Sequence, residues 1–347
     1  MRRITKEPGI QLRVIFERIM PQHRYFDEGF QREVQWDVPL TDGYDFTALD
    51  GTSLQREISE CDVLWVHGWQ SGTLRQAIRM AAGSGKPVLM RGENCDIAMP
   101  DGGGLRGWLK RLYLARIFKK CSAFLAIGSL NRQYYLQRGV DADKIFQVPY
   151  AVDNAAFAAA ADQAKTARPS LKEQLGIAAD TPVILYAGKL SRRKHPDLLA
   201  RAAQSLGDMN PAPALVYVGD GEMMTELRHL ARDALFAGFV NQSELPAFYA
   251  MADVFVLPSE KEPWGLAVNE AMACGKPVLV SNKVGCALDL IKDGENGYVF
   301  LSNDLEDLIG KLSLLMKSDL KKMGKMSRQL IQEWSFEKIC DALEKEL

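Results

Sequence analysis

The chain has 347 residues, 47% of them hydrophobic and 25% charged, which is ordinary globular composition and enough length for two domains with cores of their own. With 43 basic residues against 44 acidic ones the formal net charge is -1, which argues against a dedicated nucleic-acid binder. The six cysteines form no CxxC pair, so neither a zinc site nor a disulfide framework is expected, and reduced thiols in a cytoplasmic protein fit best.

The first residues, MRRITKEPGIQLRVIF, do not read as a signal peptide, because Lys6, Glu7 and Pro8 interrupt any apolar stretch. No apolar run reaches the roughly 18 residues of a membrane span. Short apolar runs at 11–16, 62–67, 87–90, 123–127 and 145–149 predict strands, and the second half adds 182–187, 214–219, 253–258 and 277–281. Helical patterns lie between them at 73–83, 129–139, 195–207, 222–234 and 264–274. Continuous apolar strands alternating with helices predict parallel sheets covered on both faces, an α/β fold. The halves echo each other: Asp62-Val63 returns as Asp253-Val254, and Gly85-Lys86-Pro87-Val88 as Gly275-Lys276-Pro277-Val278, nearly in register. The expected organisation is therefore two doubly wound domains, 1–165 and 166–347, with a linker near 152–181 and a cleft between them. Ligands in such sheets bind at the carboxyl ends of the strands.

The densest signal is the segment 258–274, PSEKEPWGLAVNEAMAC. A strand ends at Pro258, a polar loop carries Ser259 to Glu262, and Pro263 suits the first position of a helix running from Trp264 to Cys274. A helix start offers free amides and a positive dipole end, and Gly265 lets a ligand approach; the backbone at Trp264, Gly265 and Leu266 is thus a candidate diphosphate site. Glu262, just before the helix, is placed to reach a sugar hydroxyl. Glu270, two turns in, is placed to accept hydrogen bonds from ribose hydroxyls.

The string E-P-W-G-x4-E-A-M-A-C-G-K-P-V resembles the E-x7-E signature of the retaining GT-B glycosyltransferases, in particular glycosyltransferase family 4. Residues 186–198 (YAGKLSRRKHPDL), 218–222 (VGDGE), 238–240 (GFV) and 285–299 (GCALDLIKDGENGYV) resemble further segments of that family, as does 147–154 (QVPYAVDN) more weakly. The resemblance implies a GT-B architecture of two Rossmann-like domains and a hexosyltransferase-type reaction with retention at the anomeric carbon. It implies a nucleotide-sugar donor used as substrate, a saccharide or lipid-linked acceptor, no cofactor and no metal, in polysaccharide biosynthesis. It puts Lys189 and Lys194 on the diphosphate, with Arg193 beside them, Gly219 along the nucleotide, and Phe239 and Val240 near the base. It puts His67, at the end of an N-terminal strand, on the transferred sugar. Two departures stand out: the first basic position is Lys189 where arginine is usual, and His195 replaces a glycine. The pattern also begins late, with 8–16 resembling the second strand of the family and no glycine-rich loop before it.

Arg91 and Glu93 follow a strand and are candidates for the acceptor side. Gly83-Ser84-Gly85-Lys86 is not a P-loop, since the upstream glycine and the following Ser/Thr are missing. Asp141-Ala142-Asp143 resembles a metal-binding triplet but sits in a helix-to-strand turn, and no GxGxxG follows a strand. Residues 105–120, LRGWLKRLYLARIFKK, carry six basic residues and no acid, with Leu105, Trp108, Leu109 and Leu112 at i, i+3, i+4, i+7. Such a helix is suited to the surface of an anionic membrane, giving a peripheral location. The competing readings are a non-catalytic nucleotide- or partner-binding subunit and a nucleotide-sugar epimerase on the same fold.

Overall fold

The computed structural model describes residues 1–19, 24–49, 51–166 and 168–346. In chain order, β1 (Arg13–Phe16), β2 (Arg24–Asp27), β3 (Arg32–Gln35) and β4 (Asp45–Ala48) lead into α1 (Leu54–Glu60), β5 (Leu64–His67), α2 (Gly72–Gly83), β6 (Val88–Arg91), α3 (Gly104–Phe118), β7 (Ala123–Ala126), α4 (Ser129–Leu136) and β8 (Ile145–Gln147). The second half runs α5 (Asn154–Ala164), α6 (Arg168–Gln174), β9 (Val183–Ala187), α7 (Pro196–Gln204), β10 (Ala214–Val218), α8 (Met224–Leu230), β11 (Leu235–Gly238), α9 (Leu245–Met251), β12 (Val254–Leu257) and α10 (Leu266–Ala273). It closes with β13 (Val278–Ser281), α11 (Ala287–Leu290), β14 (Gly297–Phe300), α12 (Leu305–Met316), α13 (Leu320–Leu330) and α14 (Phe336–Glu346).

The chain divides into two compact units. Unit 1 comprises Met1–His23, Pro39–Tyr150 and Phe336–Leu347; unit 2 comprises Arg24–Val38 and Ala151–Ser335. Unit 1 holds a parallel sheet of order β5-β6-β7-β8 and a separate parallel pair β1-β4. Its last helix returns from the far end of the sequence: Cys340 and Leu343 of α14 bury with Ile4, Leu89, Leu125 and Val148. Unit 2 is a six-stranded parallel sheet of order β11-β10-β9-β12-β13-β14, plus the antiparallel hairpin β2-β3. Strands β9, β12 and β13 are buried at every residue, as continuous Val/Ile/Leu runs covered by helices on both faces demand.

This division differs from a single cut at 165. The segment expected as a linker, 152–181, is mostly helix: Asp153 caps α5 by accepting from the Ala156 amide, and α5 packs on α9 and α10. Asn154 donates from Nδ2 to the Ile331 carbonyl at 2.9 Å and to Trp334 at 3.1 Å, fixing the start of α5 inside unit 2.

The repeat seen in the sequence is a repeat of structure. At the end of α2 the Lys86 amide bonds Ala81 at 2.9 Å, and at the end of α10 the Lys276 amide bonds Ala271 at 2.9 Å. Both lysine side chains then turn back to the carbonyls before the preceding strand: Lys86 to Ser59 and Cys61, Lys276 to Ala250 and Ala252. Each unit thus uses one GKPV junction to stop a helix, start a strand and pin the neighbouring connection.

A candidate donor site in unit 2

The site is built at the carboxyl ends of β9, β10 and β12. After β9 the chain passes Gly188, Lys189 and Leu190, whose backbone is tied to β10 by Gly188 N–H to Val218 at 2.9 Å and Leu190 N–H to Asp220 at 2.9 Å. The two loops approach so closely that a Cβ at Gly219 would lie 1.9 Å from the Gly188 carbonyl oxygen. Only glycine fits there, which leaves a bare backbone lip beside Lys189.

A short 3-10 turn, Arg192–Lys194, then ends at His195 in the left-handed region, φ 48° and ψ 47°. This is why glycine suits the position. Histidine tolerates it better than most residues, and its ring lies near two carboxylates, Nδ1 3.5 Å from Asp197 and Nε2 3.5 Å from Glu260. The turn is bound to the loop after β12: the Glu260 amide donates to the Arg193 carbonyl at 2.9 Å, and Arg193 Nη1 donates to the Lys261 carbonyl at 3.1 Å. The exposed Arg193 guanidinium is therefore spent on the backbone of the Glu262 loop. Its consequence is one side chain further on, where Lys194 Nζ is ion-paired with Glu262. Their side chains are only 14% and 11% exposed. Glu262 is itself fixed by a bridge to Val284, donating to Lys283 and accepting from Gly285.

The helix that follows starts three residues later than its proline suggests. Gly265 adopts φ 102° and ψ 63° and caps α10, which begins at Leu266. Pro263 therefore lies in the loop, not at the first helical position. Trp264 is drawn inward: its indole is buried, donates from Nε1 to Asn269 at 2.8 Å and packs on Trp334 with centroids 4.9 Å apart. Its side chain belongs to the core, and only its backbone remains on the site side. The amides at the start of α10, at Gly265, Leu266 and Ala267, are oriented out of the helix as at any helix N-terminus.

Glu270 sits one turn further along α10 and accepts from the Tyr249 hydroxyl at 2.8 Å. Burial raises its carboxyl to about 7, overriding the Tyr249 hydrogen bond, which pulls the other way. Nothing in the local sequence pairs Tyr249 with Glu270; helix α9 brings the two together.

The sequence reading missed the hairpin β2-β3 altogether. Asp27 at its tip accepts Lys189 Nζ at 2.7 and 3.0 Å on its two oxygens and the amides of Gly29 and Phe30 at 2.8 and 3.1 Å. Burial alone would raise the Asp27 carboxyl, but the lysine and these amides bring it below its usual range. Phe30 and Trp36 meet the Phe239 ring at centroid distances of 5.1 and 5.9 Å, and the Arg32 guanidinium lies 5.2 Å from it. Asn241 holds the hairpin's end by donating to the Gln35 carbonyl at 2.8 Å. Val240 is partly buried beside this cluster. Neither RYFD nor REVQ alternates apolar with polar residues, so the sequence carries little local signal of the hairpin beyond the turn at Glu28-Gly29.

In unit 1, His67 ends β5 opposite Arg91 of β6 and stacks on Trp65, with centroids 5.6 Å apart and planes 11° from parallel. The residue is exposed. Desolvation by its neighbours, followed by the Arg91 charge, lowers the imidazole to about 4, so it is neutral at physiological pH. Arg91 does not face outward as an acceptor contact. It is buried, donates to the Pro149 carbonyl at 3.1 Å and lies between the Trp65 and Tyr150 rings. Glu93 is exposed and accepts from the Tyr150 hydroxyl.

Comparison with known proteins agrees with this arrangement. Residues 167–333, nearly all of unit 2 after its first helix, match the family described as glycosyl transferases group 1. The chain is 34% identical over 186 residues to a D-inositol 3-phosphate glycosyltransferase of Xylanimonas cellulosilytica, covering 50% of this chain and 44% of that protein. It is 31% identical over 217 residues to a GDP-mannose-dependent alpha-(1-6)-phosphatidylinositol monomannoside mannosyltransferase of Mycolicibacterium smegmatis, covering 58% and 55%. The matched region thus spans about half the length of these curated relatives. A glycosyltransferase from Rickettsia africae superposes with a TM-score of 0.70 at 17% identity, covering 87% of this chain and 84% of the other. The fold is GT-B, two Rossmann-like α/β units, and the similarity to glycosyl transferases group 1 lies in residues 167–333.

The perturbed Glu270 gives a prediction about stability alone. Its folded carboxyl holds a proton more tightly than the unfolded one, so its stabilising contribution is full below about pH 4.5 and is lost as the pH rises through about 7. Glu270→Gln, neutral at every pH, is expected to be more stable than wild type by about 2 kcal/mol near pH 8, with the difference vanishing near pH 4. Urea denaturation at the two pH values measures this; equal stabilities at both would mean that Glu270 is not desolvated.

Proposed function

We propose that this protein is a retaining hexosyltransferase-type glycosyltransferase that moves a sugar from a nucleotide-sugar donor to a saccharide or lipid-linked acceptor. The observation that carries the reading is the buried Lys194–Glu262 pair beside the start of α10, with Glu270 on the same helix. The matched family and the glycosyltransferase relatives support it, and the phosphatidylinositol mannoside named for one of them supports a lipid-linked acceptor.

In the proposed reaction the donor diphosphate lies against Lys189, Lys194 and the amides at 265–267, with Gly219 beneath the nucleotide. The bond from the anomeric carbon to the phosphate oxygen breaks, and these groups stabilise the charge that gathers on the leaving diphosphate. The acceptor hydroxyl bonds to the anomeric carbon on the same face, and its proton passes to the departing phosphate oxygen. Retention therefore needs no covalent enzyme intermediate. Glu262 orients the donor sugar, Glu270 in its ionised form accepts the ribose hydroxyls, and Phe239 and Val240 flank the base. Neutral His67 keeps the role that the resemblance gives it, a hydrogen bond to the transferred sugar. Arg193 acts through the loop it clamps. Cationic side chains and helix amides supply the charge compensation, so the reading calls for no metal and no cofactor. No helix among the described residues is long and apolar enough to cross a membrane, and a peripheral site of action on the cytoplasmic side is part of the proposal.

Two experiments follow. Purified protein given nucleotide sugars and candidate acceptors is expected to release nucleoside diphosphate and to form product of unchanged anomeric configuration, read by NMR. Glu262→Gln, which removes the sugar contact and the charge facing Lys194, should slow release by on the order of 10²-fold. Undiminished turnover in that variant would remove Glu262 from the site. Lys189 is held by Asp27, so a diphosphate must compete for it. Asp27→Asn frees the lysine and should tighten nucleoside diphosphate binding by roughly fivefold, the scale of a partly exposed ion pair. Calorimetry showing unchanged affinity would mean that Lys189 does not touch the phosphates.

A further inference from the structure

Among the described residues, 13 large hydrophobic side chains are exposed, and five of them fall within nine positions of α3: Leu105, Trp108, Leu109, Leu112 and Tyr113, at 71, 56, 51, 37 and 42% exposure. This is a patch, not a scatter. At 100° per residue the five positions share an arc of roughly 140°. The opposite side of α3 is the one that packs: Gly107, Leu114, Ile117 and Phe118 are buried. So the i, i+3, i+4, i+7 stripe that a scaffold helix would turn into the core is the stripe this helix turns outward.

The charges around the stripe specify what can cover it. Arg106 flanks it, and Arg116, Lys119 and Lys120 continue the same face toward the end of the helix; all four are exposed and none is ion-paired among the described residues. Lys110 and Arg111, by contrast, are held by the buried Asp101 at 3.2 and 3.3 Å. The face therefore presents an apolar half of about two turns and a cationic half of one turn, with no acid. A second copy of the chain docking symmetrically would set these cations against each other. A hydrophobic protein groove would satisfy the leucines and leave four charges to be desolvated. A lipid surface with anionic headgroups satisfies both halves at once.

We propose that the outward face of α3 docks on an anionic lipid surface, with Leu105, Trp108, Leu109 and Leu112 in the headgroup–acyl boundary and Arg106, Arg116, Lys119 and Lys120 at the lipid phosphates. The inference does not depend on the donor reading, since it concerns unit 1 alone and needs no nucleotide.

The test is cosedimentation of the purified full chain with vesicles of phosphatidylcholine, with and without a minority of phosphatidylglycerol. Binding is expected to the anionic vesicles only and to weaken as salt is raised. Leu109→Asp should abolish it. Exchanging both Arg116 and Lys119 for glutamate should lower it by at least tenfold, at roughly fivefold per cation before the sign reversal is counted. All these side chains are exposed, so both variants should keep the wild-type thermal unfolding midpoint, which is checked in parallel. Failure to bind anionic vesicles, or equal binding by wild type and Leu109→Asp, overturns the proposal. So does a wild-type dimer in sedimentation equilibrium that Leu109→Asp dissolves, which would assign the face to self-association.

Discussion

The organisation of unit 2 turns on the ion pair between Lys194 and Glu262. Two opposite charges with side chains 14% and 11% exposed are costly to bury, and they hold together only because their loops are fixed before they meet. The Arg192–Lys194 turn is bound to the 260–262 loop by one backbone hydrogen bond and one from the Arg193 guanidinium, and Glu262 is bound again to the strand-like segment at 283–285. Removing one partner of such a pair would leave a buried charge uncompensated. The geometry is therefore preorganised: a cation and a carboxylate held close, beside a helix start and a bare glycine lip.

The same economy appears at the strained residue next to the pair. His195 occupies a left-handed conformation that a glycine would adopt freely, and its ring is held between Asp197 and Glu260. The histidine gives up backbone ease and places its ring near one carboxylate of α7 and one of the Glu262 loop. Asp27 plays a comparable part on the other side, neutralising Lys189 while the hairpin aromatics gather around Phe239. Both lysines proposed for the diphosphate thus have a carboxylate partner.

Much of this was legible in the sequence, for reasons that differ by element. The doubly buried strands β9, β12 and β13 are unbroken apolar runs, and the paired GKPV junctions mark identical helix-to-strand turns. The E-x7-E string fixed Glu262 and Glu270 on one loop and helix. The misses arise where tertiary contact outweighs local preference. Pro263 signals a helix start, but Gly265 takes the left-handed turn and delays it. Trp264 keeps only its backbone on the site side, because Asn269 and Trp334 supply the partners its indole needs in the core. Arg91 follows a strand as a candidate for the acceptor side, but two aromatic rings and a carbonyl hold it. The 152–181 stretch looked like a linker because alanine carries no pattern, whereas α9 and α10 give those alanines a surface to pack on. The hairpin from 24 to 38 could not be assigned to unit 2 from sequence, because its contacts to Lys189 and Phe239 span more than 150 residues.

The central claim, that unit 2 binds a nucleoside diphosphate through these groups, is tested most directly by thermal unfolding of wild type and Glu270→Ala with UDP, GDP, ADP and dTDP in turn. A ligand that binds only the native state must stabilise it, by about 2.7 kcal/mol at a hundredfold excess over Kd. The account predicts that one of the four raises the wild-type midpoint and that the rise is lost in Glu270→Ala. A wild type that none of them stabilises, or a variant stabilised as much as wild type, would contradict it.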